Sequence, residues 1–552
     1  MDDRITSLRD RIVVLIAFTL LTCGMMWPQV RHLGDRAAAH QDIYFNMWRL
    51  HWIAHAIATS PANIFNANIF YPEPRTLLFS DAMLVQGVTA APLIWIGVRP
   101  VLVHNIMLLG AIVASAAAMF ALVRYLTGSR GAAALAGAVF AFAPYRFEHI
   151  MHMELQWTMW IPIAVLALHR TFQNFRVRDG FVCGGAVALQ MLSSVYYGIF
   201  LATLVAMGSL MLQIGRPWTD ARRAAVPLAA GASLAVVLIG AYARPYLLAR
   251  DRVGERPVEQ VEMYAARPAD YLVTPATNWL YGRWQTRGES ERRLFPGAVA
   301  FLLAIVAVLL RQPSRVIVVY VLVGVAAFEA SLGFRGSSYS FLYEHLAPFR
   351  ALRAPARLGI FVVFSLAVLA GFGYSFVASG LRARYRLVLL GLLLTAVLSE
   401  YFTTVPLVSY PNHAPPVYRL LASQPPGVAA EFPMPRPSVR PGEDPKYGLP
   451  GADPKYAYFS IFHWKPLVNG YSGFYPASYI RRLIDLRGFP EPFSLRVLRR
   501  EGVRYLVIHE SGYGDNRALY EQTLRTLGEA EAVRSLGEFS DGEGTAGVFV
   551  LE

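Results

Sequence analysis

The feature that most constrains this chain is a succession of apolar blocks. They lie near residues 12–30, 101–123, 131–144, 157–169, 180–194, 197–214, 224–243, 297–310, 315–333, 357–379 and 386–402. A helix needs about 20 apolar residues to cross a bilayer. Blocks recurring on that scale read as an α-helical polytopic membrane protein with about 11 transmembrane helices. Composition agrees: only 16% of the 552 residues are charged, against roughly 25% in soluble domains. The first block follows MDDRITSLRDR without a small-residue cleavage pattern, so it reads as an uncleaved first helix rather than a removable leader.

The net charge is 51 − 37 = +14. In a soluble chain that excess would suggest nucleic acid as a partner. Here much of the excess arginine sits in short loops between apolar blocks, where it sets orientation, so no nucleic acid is expected. Cys23 and Cys183 both fall inside apolar blocks and read as packing residues.

Orientation follows from the arginines. Arg4, Arg9 and Arg11 precede the first block, which puts the N-terminus in the cytoplasm. Leu84–Gly97 has 14 residues and contains Pro92, too short for a span. If it does not cross, Arg124, Arg130, Arg170, Arg216, Arg311 and Arg315 all fall on the cytoplasmic side, as the positive-inside rule prefers. An odd number of crossings then places the C-terminus outside the cytoplasm, in a cell (plasma or inner) membrane.

Two regions are too polar to lie in the bilayer. The first is the loop 31–86, which is rich in aromatic residues and carries Asp35, Asp42 and Asp81. Within it Ile43, Met47, Leu50, Ala54 and Ile57 share one face of a helix over Asp42–Ala58. Tyr44, Trp48, His51 and His55 line another, so the helix is expected to lie in the membrane interface. The second is 403–552, rich in Pro, Gly, Tyr and charge. Its GVAAEFPM (427–434) and VRYLVIHE (503–510) read as strands, and SLRVLRREG before the latter reads as a helix. The expected division is a membrane domain over 1–402, carrying the loop, and a small extracytoplasmic α/β domain over 403–552.

Several residues could carry chemistry. Asp42 opens the helix of the first loop. It is either an N-cap, for which Asp is well suited, or a general base, since a carboxylate near an apolar interface is partly desolvated and accepts a proton more readily. The two roles can coexist. Asp35 after Gly34 reads first as a turn residue, and Asp81 as a cap for a helix over Ala82–Gly97. In EHIMHMELQ, the histidines of His149, His152 and Glu154 are three apart with Glu148 ahead of them, so the helical HExxH zinc pattern is not met. Those side chains would line an extracytoplasmic pocket or simply an interfacial turn. Arg350, Arg353 and Arg357 are spaced to share a helix face, with Pro355 between them. They suit a phosphate held bidentately, or snorkelling to lipid headgroups, and Arg244 has the same two readings. Aromatic and polar residues of 251–296, and FHWKPLVNGYSGFYP (462–476), could face a sugar, an acceptor or the membrane surface.

The layout resembles the GT-C membrane glycosyltransferases. The pieces that carry the likeness are GDRAAAHQDIYFNMWRLHW, IFNANIFYPEPRTLLFSD, HIMHMELQWTMWIPIAVLALHR, LFPGAVA, LRAPARLG and HWKPLVNGYSGF. The resemblance implies a sugar donor linked to polyprenyl phosphate, transfer outside the cytoplasm with inversion, and an acceptor glycan or protein that the sequence does not name. The first-loop acidic residue of that superfamily carries over to Asp42, and less well to Asp35. Asp81, His149, His152, Glu154, Arg244, Arg353 and Arg357 are the expected substrate contacts. No DxD and no adjacent Asp–Glu pair stands at Asp42, so no metal is indicated and the cofactor is left open. The competing reading is a non-catalytic transporter or scaffold for lipid-linked glycans. A transporter should place ionisable residues inside its spans, and Glu329 is a rare example here.

Overall fold

The computed structural model describes residues 8–253, 256–284, 290–309, 314–437 and 451–552. Arg4 and Arg311 of the orientation argument lie outside these ranges. We number the α-helices of seven residues or more in chain order. In the first part of the chain they are α1 (Leu8–Met25), α2 (Asp42–Thr59), α3 (Leu84–Trp95), α4 (Pro100–Thr127), α5 (Arg130–Phe142), α6 (Trp160–Asn174), α7 (Val177–Ser193), α8 (Val195–Gln213) and α9 (Trp218–Val253). Then follow α10 (Ala298–Leu309), α11 (Arg315–Ser331), α12 (Ser337–His345), α13 (Gly359–Ser379), α14 (Ala383–Tyr401), α15 (Pro416–Ser423), α16 (Asp453–Phe459), α17 (Ala477–Asp485), α18 (Pro492–Arg500) and α19 (Arg517–Gly528). Each apolar block of the sequence carries a helix. Among the described residues four stretches are long and apolar enough to cross a membrane: Pro100–Thr127, Val195–Gln213, Trp218–Leu248 and Pro355–Ser379. The Leu84–Gly97 stretch forms the short helix α3, with Pro92 inside it.

The chain forms two compact units. The first comprises residues 1–33, 105–243 and 255–407. Its centre is α13, buried along most of its length and packed on α5, α10 and α11. Close helix contact elsewhere depends on glycine. A Cβ at Gly180 of α7 would lie 1.9 Å from the Pro227 carbonyl oxygen of α9, and one at Gly184 would lie 1.9 Å from that of Gly231. Small residues four apart let two backbones touch, the usual way for helices to associate where lipid removes the hydrophobic driving force.

The second unit comprises residues 34–104, 244–254 and 408–552. Strands β1 (Arg36–Ala38) and β2 (Leu407–Ser409) pair, and β3 (Val428–Phe432), β4 (Val503–His509), β5 (Val533–Ser540) and β6 (Thr545–Leu551) form a sheet of order β3-β4-β6-β5. β3 and β4 run parallel and the other neighbours antiparallel. The strands expected at 427–434 and 503–510, and the helix before the second, are all present. The first loop folds together with these residues and with α3 that follows it. Phe70 N–H donates to the Asn469 carbonyl at 2.9 Å, and Tyr71 N–H to that of Leu467 at 2.8 Å. A polar loop must satisfy its backbone groups somewhere, and here a chain segment some 400 residues away supplies the partners.

The α2 helix differs from the expected interfacial one. Trp48, Met47, Leu50 and Ile53 are fully buried, because α3 covers one side of the helix and α16 another. Trp48 Nε1 donates to Asn68 Oδ1 at 3.1 Å. Burial lowers the His51 imidazole to about 4. Period and composition identified the helix, but the face carrying Trp48 and His51 packs inside the protein.

Candidate functional site

In the second unit the centre of interest is Asp42. It is the first residue of α2, and Gln41, without a side-chain cap bond, holds the cap position. Its Oδ1 instead accepts a hydrogen bond from Tyr471 Oη at 2.6 Å. Its backbone N–H donates to His40 Nδ1 at 3.1 Å, and Oδ2 lies 3.7 Å from the same ring nitrogen. Tyr410 anchors the approach to the helix, donating to the Ala38 and His40 carbonyls at 2.7 and 2.9 Å. Burial pushes the Tyr410 phenol up to about 12. The Asp42 side chain remains 15% exposed. It is thus a carboxylate fixed by a phenol and backed by an imidazole, open on one side. Such a group can accept a proton from a hydroxyl that reaches it.

The other two first-loop carboxylates are placed differently. The Asp35 side chain is 54% exposed and 3.8 Å from Arg36 Nε, while its carbonyl receives Tyr410 N–H at 2.9 Å. Asp81 does not cap α3, which starts at Leu84 behind a left-handed Met83. Its carbonyl instead accepts from Arg49 at 2.8 Å. Arg244 is exposed on α9 and makes no hydrogen bond or ion pair among the described residues.

In the first unit His149, His152 and Glu154 do gather, around a residue the sequence did not single out. Glu291 is buried, and its two oxygens meet the Arg357 guanidinium at 2.5 and 3.2 Å. His149 Nε2 lies 3.8 Å from Glu291 Oε2, and the His152 ring is 5.6 Å from that of His149. Burial would raise the Glu291 carboxyl, but Arg357, with His149 beside it, outweighs that and holds it below the usual carboxylate range. Burial lowers the His149 imidazole to about 4, and neither of its ring nitrogens has a hydrogen-bond partner among the described residues. Glu148 pairs with Arg293 at 2.9 Å, yet burial still raises its carboxyl. Beneath them Arg146 is fully buried, and Gln156 and Thr158 take up its donors.

The three arginines near 350 do not share a helix face. Pro355 disfavours a helical Ala354, and the segment breaks into two 3-10 turns, Ala347–Ala351 and Pro355–Leu358. Arg350 donates to the Tyr343 and Glu344 carbonyls at the end of α12, a favourable place for a cation. Arg357 is committed to Glu291 and stacks over Tyr196 at 4.5 Å. Arg353 is half-buried, its guanidinium 5.3 Å from the Tyr264 ring. It makes no ion pair among the described residues.

Glu329, the acidic residue noted inside a span, caps α12. Its carboxylate accepts the backbone N–H groups of Ser337 at 2.5 Å and Ser338 at 3.1 Å. Glu400 does the same for α10 through Ala298 at 2.8 Å. Among the described residues no group of three or more His, Cys, Asp and Glu side chains is placed to hold a metal ion.

No protein-family model matches the chain, and no curated protein matches it in sequence. Its structure is similar over 99% of its length to the arabinofuranosyltransferase AftD from Mycobacteria, with a TM-score of 0.65 at 15% identity. The match covers 40% of that chain, so the present chain spans well under half the length of that protein. The apo oligosaccharyltransferase of Archaeoglobus fulgidus matches with a TM-score of 0.48 and 12% identity over 90% of this chain and 69% of its own. ArnT from Cupriavidus metallidurans, bound to undecaprenyl phosphate, also has 0.48 and 12%, over 99% of this chain and 98% of its own. At these identities the likeness is one of fold.

Proposed function

We propose that this chain, which has the fold of the GT-C membrane glycosyltransferases, transfers a sugar from a polyprenyl-phosphate carrier to a hydroxyl of an extracytoplasmic glycan or protein. The observation that supports the reading is the setting of Asp42, a first-loop carboxylate that accepts a hydrogen bond from Tyr471 and stays partly exposed. Asp42 takes the proton of the acceptor hydroxyl. The acceptor oxygen forms a bond to the anomeric carbon, and the bond from that carbon to the phosphate oxygen breaks with inversion. The carrier leaves as polyprenyl phosphate with the bonding electrons, and a guanidinium facing that phosphate lowers the barrier. Separately, Arg353 of the first unit has no ion pair among the described residues and is proposed as a contact for a phosphate. Arg357, locked on Glu291, shapes the surroundings instead. The transporter reading loses support because Glu329 has a structural task.

Asp42→Asn tests the proposal. Asn can still accept the Tyr471 hydrogen bond but cannot take the proton. Sugar transfer by the purified protein from a radiolabelled polyprenyl-phosphate donor should fall about a hundredfold or more, with donor binding and thermal stability unchanged. Full activity in a stable variant removes Asp42 as the base. Arg353→Lys keeps the charge and loses the planar fork, so donor affinity should drop without loss of fold.

A further inference from the structure

A groove lies in the first unit where the N-terminal ends of α1, α5 and α14 meet the C-terminal end of α13. It has a volume of about 690 Å³ and is lined by α1, α5, α13 and α14, together with Phe120 of α4. Ligand pockets run from about 300 to 1,000 Å³. Three of its helices follow one pattern. On α1 the polar Asp10 is followed one turn on by Val13 and Val14; on α5 Arg130 is followed by Ala134; on α14 Arg386 is followed by Leu387 and Leu390. Residues three or four apart lie on one helix face, so all three walls pass from charged to apolar in the same direction. That gradient matches a molecule with a charged head and a hydrocarbon tail.

The mouth favours an anion. Its charged lining is Arg130, Arg386 and Asp10, a sum of 2 − 1 = +1. Arg130 is paired with Asp10 at 2.8 Å. Arg386 gives Nε to the Leu381 carbonyl at 2.8 Å and one terminal nitrogen to that of Ser379 at 3.4 Å. Its other terminal nitrogen has no partner among the described residues. Arg382 and Arg384 stand exposed beside it. The surroundings favour a lipid over a soluble anion, since Val13 is 57% and Leu387 72% exposed on apolar helices. The groove is distinct from the Glu291 cluster: α13 alone, at 21 residues and 1.5 Å each, separates the mouth from Arg357 by about 30 Å.

We infer that this groove binds one anionic phospholipid, with an acyl chain along Val14, Phe120, Ala134 and Leu390 and the phosphodiester at Arg386 and Arg130. The proposal does not depend on the glycosyltransferase reading. It is tested on the full chain, purified in detergent and titrated with phosphatidylglycerol or phosphatidylcholine under native mass spectrometry. One phosphatidylglycerol should be retained per chain, in preference to phosphatidylcholine. An arginine near an anionic headgroup contributes about fivefold in binding. Arg386→Gln should therefore weaken retention about that much, and Arg130→Gln should weaken it further. Ala134→Phe fills the apolar half without changing charge and should abolish retention of the bound lipid. Equal retention of the two lipids would mean annular lipid only. That result, or unchanged phosphatidylglycerol binding in folded Arg386→Gln and Ala134→Phe variants, overturns the proposal.

Discussion

Two buried histidines, one in each unit, are shifted in opposite directions for a reason visible in their neighbours. His149 and His509 are 1% and 3% exposed, and each stands beside a buried carboxylate. His149 has Glu291 at 3.8 Å, but Arg357 already neutralises that carboxylate, and burial leaves the ring neutral, at about 4. His509 of β4 has two carboxylates of its own, Asp541 at Nδ1 and Glu431 at Nε2, both at 2.9 Å. Burial would lower its imidazole, but those two hydrogen bonds and charges outweigh it and raise it. Asp541 in turn is held down to about 2: burial opposes ionisation there, while the His509 bond and the backbone N–H groups of Glu543 and Gly544 favour it. Proximity to an acid therefore does not decide which way a buried histidine shifts. What decides is whether that acid is already spent on another cation.

The comparison is broken most severely by removing Glu291. Glu291→Gln leaves Arg357 charged and buried, which should cost about 3–5 kcal/mol and lower the unfolding temperature of the detergent-solubilised protein by several degrees. A negligible shift would mean that Arg357 does not depend on this carboxylate, and the contrast with His509 would collapse.

A smaller loss is expected from Asp541→Asn, which weakens one charge-assisted hydrogen bond to His509. The expected cost is about 1.5–3 kcal/mol, read as lost exchange protection in β4 and β6. The same pair predicts a pH dependence. A raised histidine contributes stability that is complete below its unfolded value of 6.5 and is lost as pH rises through its folded value. Asp453, which burial raises from 3.8 to about 7, adds a loss of the same sign, but one that runs from 3.8 to about 7. The sheet of the second unit should thus weaken on the alkaline side of 6.5, and His509→Gln should flatten much of that limb. A sheet that gains stability over that range would show His509 to be neutral.

The smallest effect belongs to His149. Since neither ring nitrogen is hydrogen-bonded, His149→Phe breaks no such bond and should change stability by only about 1 kcal/mol. It should also remove an acid limb. A histidine lowered from 6.5 to about 4 contributes stability present above 6.5 and lost as pH falls toward 4. Thermal unfolding between pH 4 and 7 would separate this variant from wild type. A large loss at pH 7 would reveal a bond to His149 that the geometry lacks.

Much of this protein is legible in its sequence because the signals are local. Apolar block length gave the helices α4, α8, α9 and α13, and alternation with turn residues gave β3 and β4. The periodicity over 42–58 placed α2 within a residue. The sequence also singled out Asp42 and the 462–476 segment that contains Tyr471, though not their contact. What it could not supply were partners distant in the chain. Asp42 and Tyr471 are 429 residues apart, Arg357 and Glu291 are 66 apart, and His509 and Glu431 are 78 apart. Spacing along a helix or strand constrains residues a few positions away and carries no information about which distant carboxylate will face which guanidinium. The arginines at 350, 353 and 357 make the point: one motif supplies a helix-end cap, a cation over the Tyr264 ring and a buried ion pair. Pro355 foreshadowed the broken helix, but only packing assigned Glu291 to Arg357 and set Arg353 over Tyr264. Residue type and local period determined which elements form and which groups can ionise. Tertiary structure decided which of those charges are already neutralised, because neutralisation requires contact, and contact between distant residues is settled by how the elements pack.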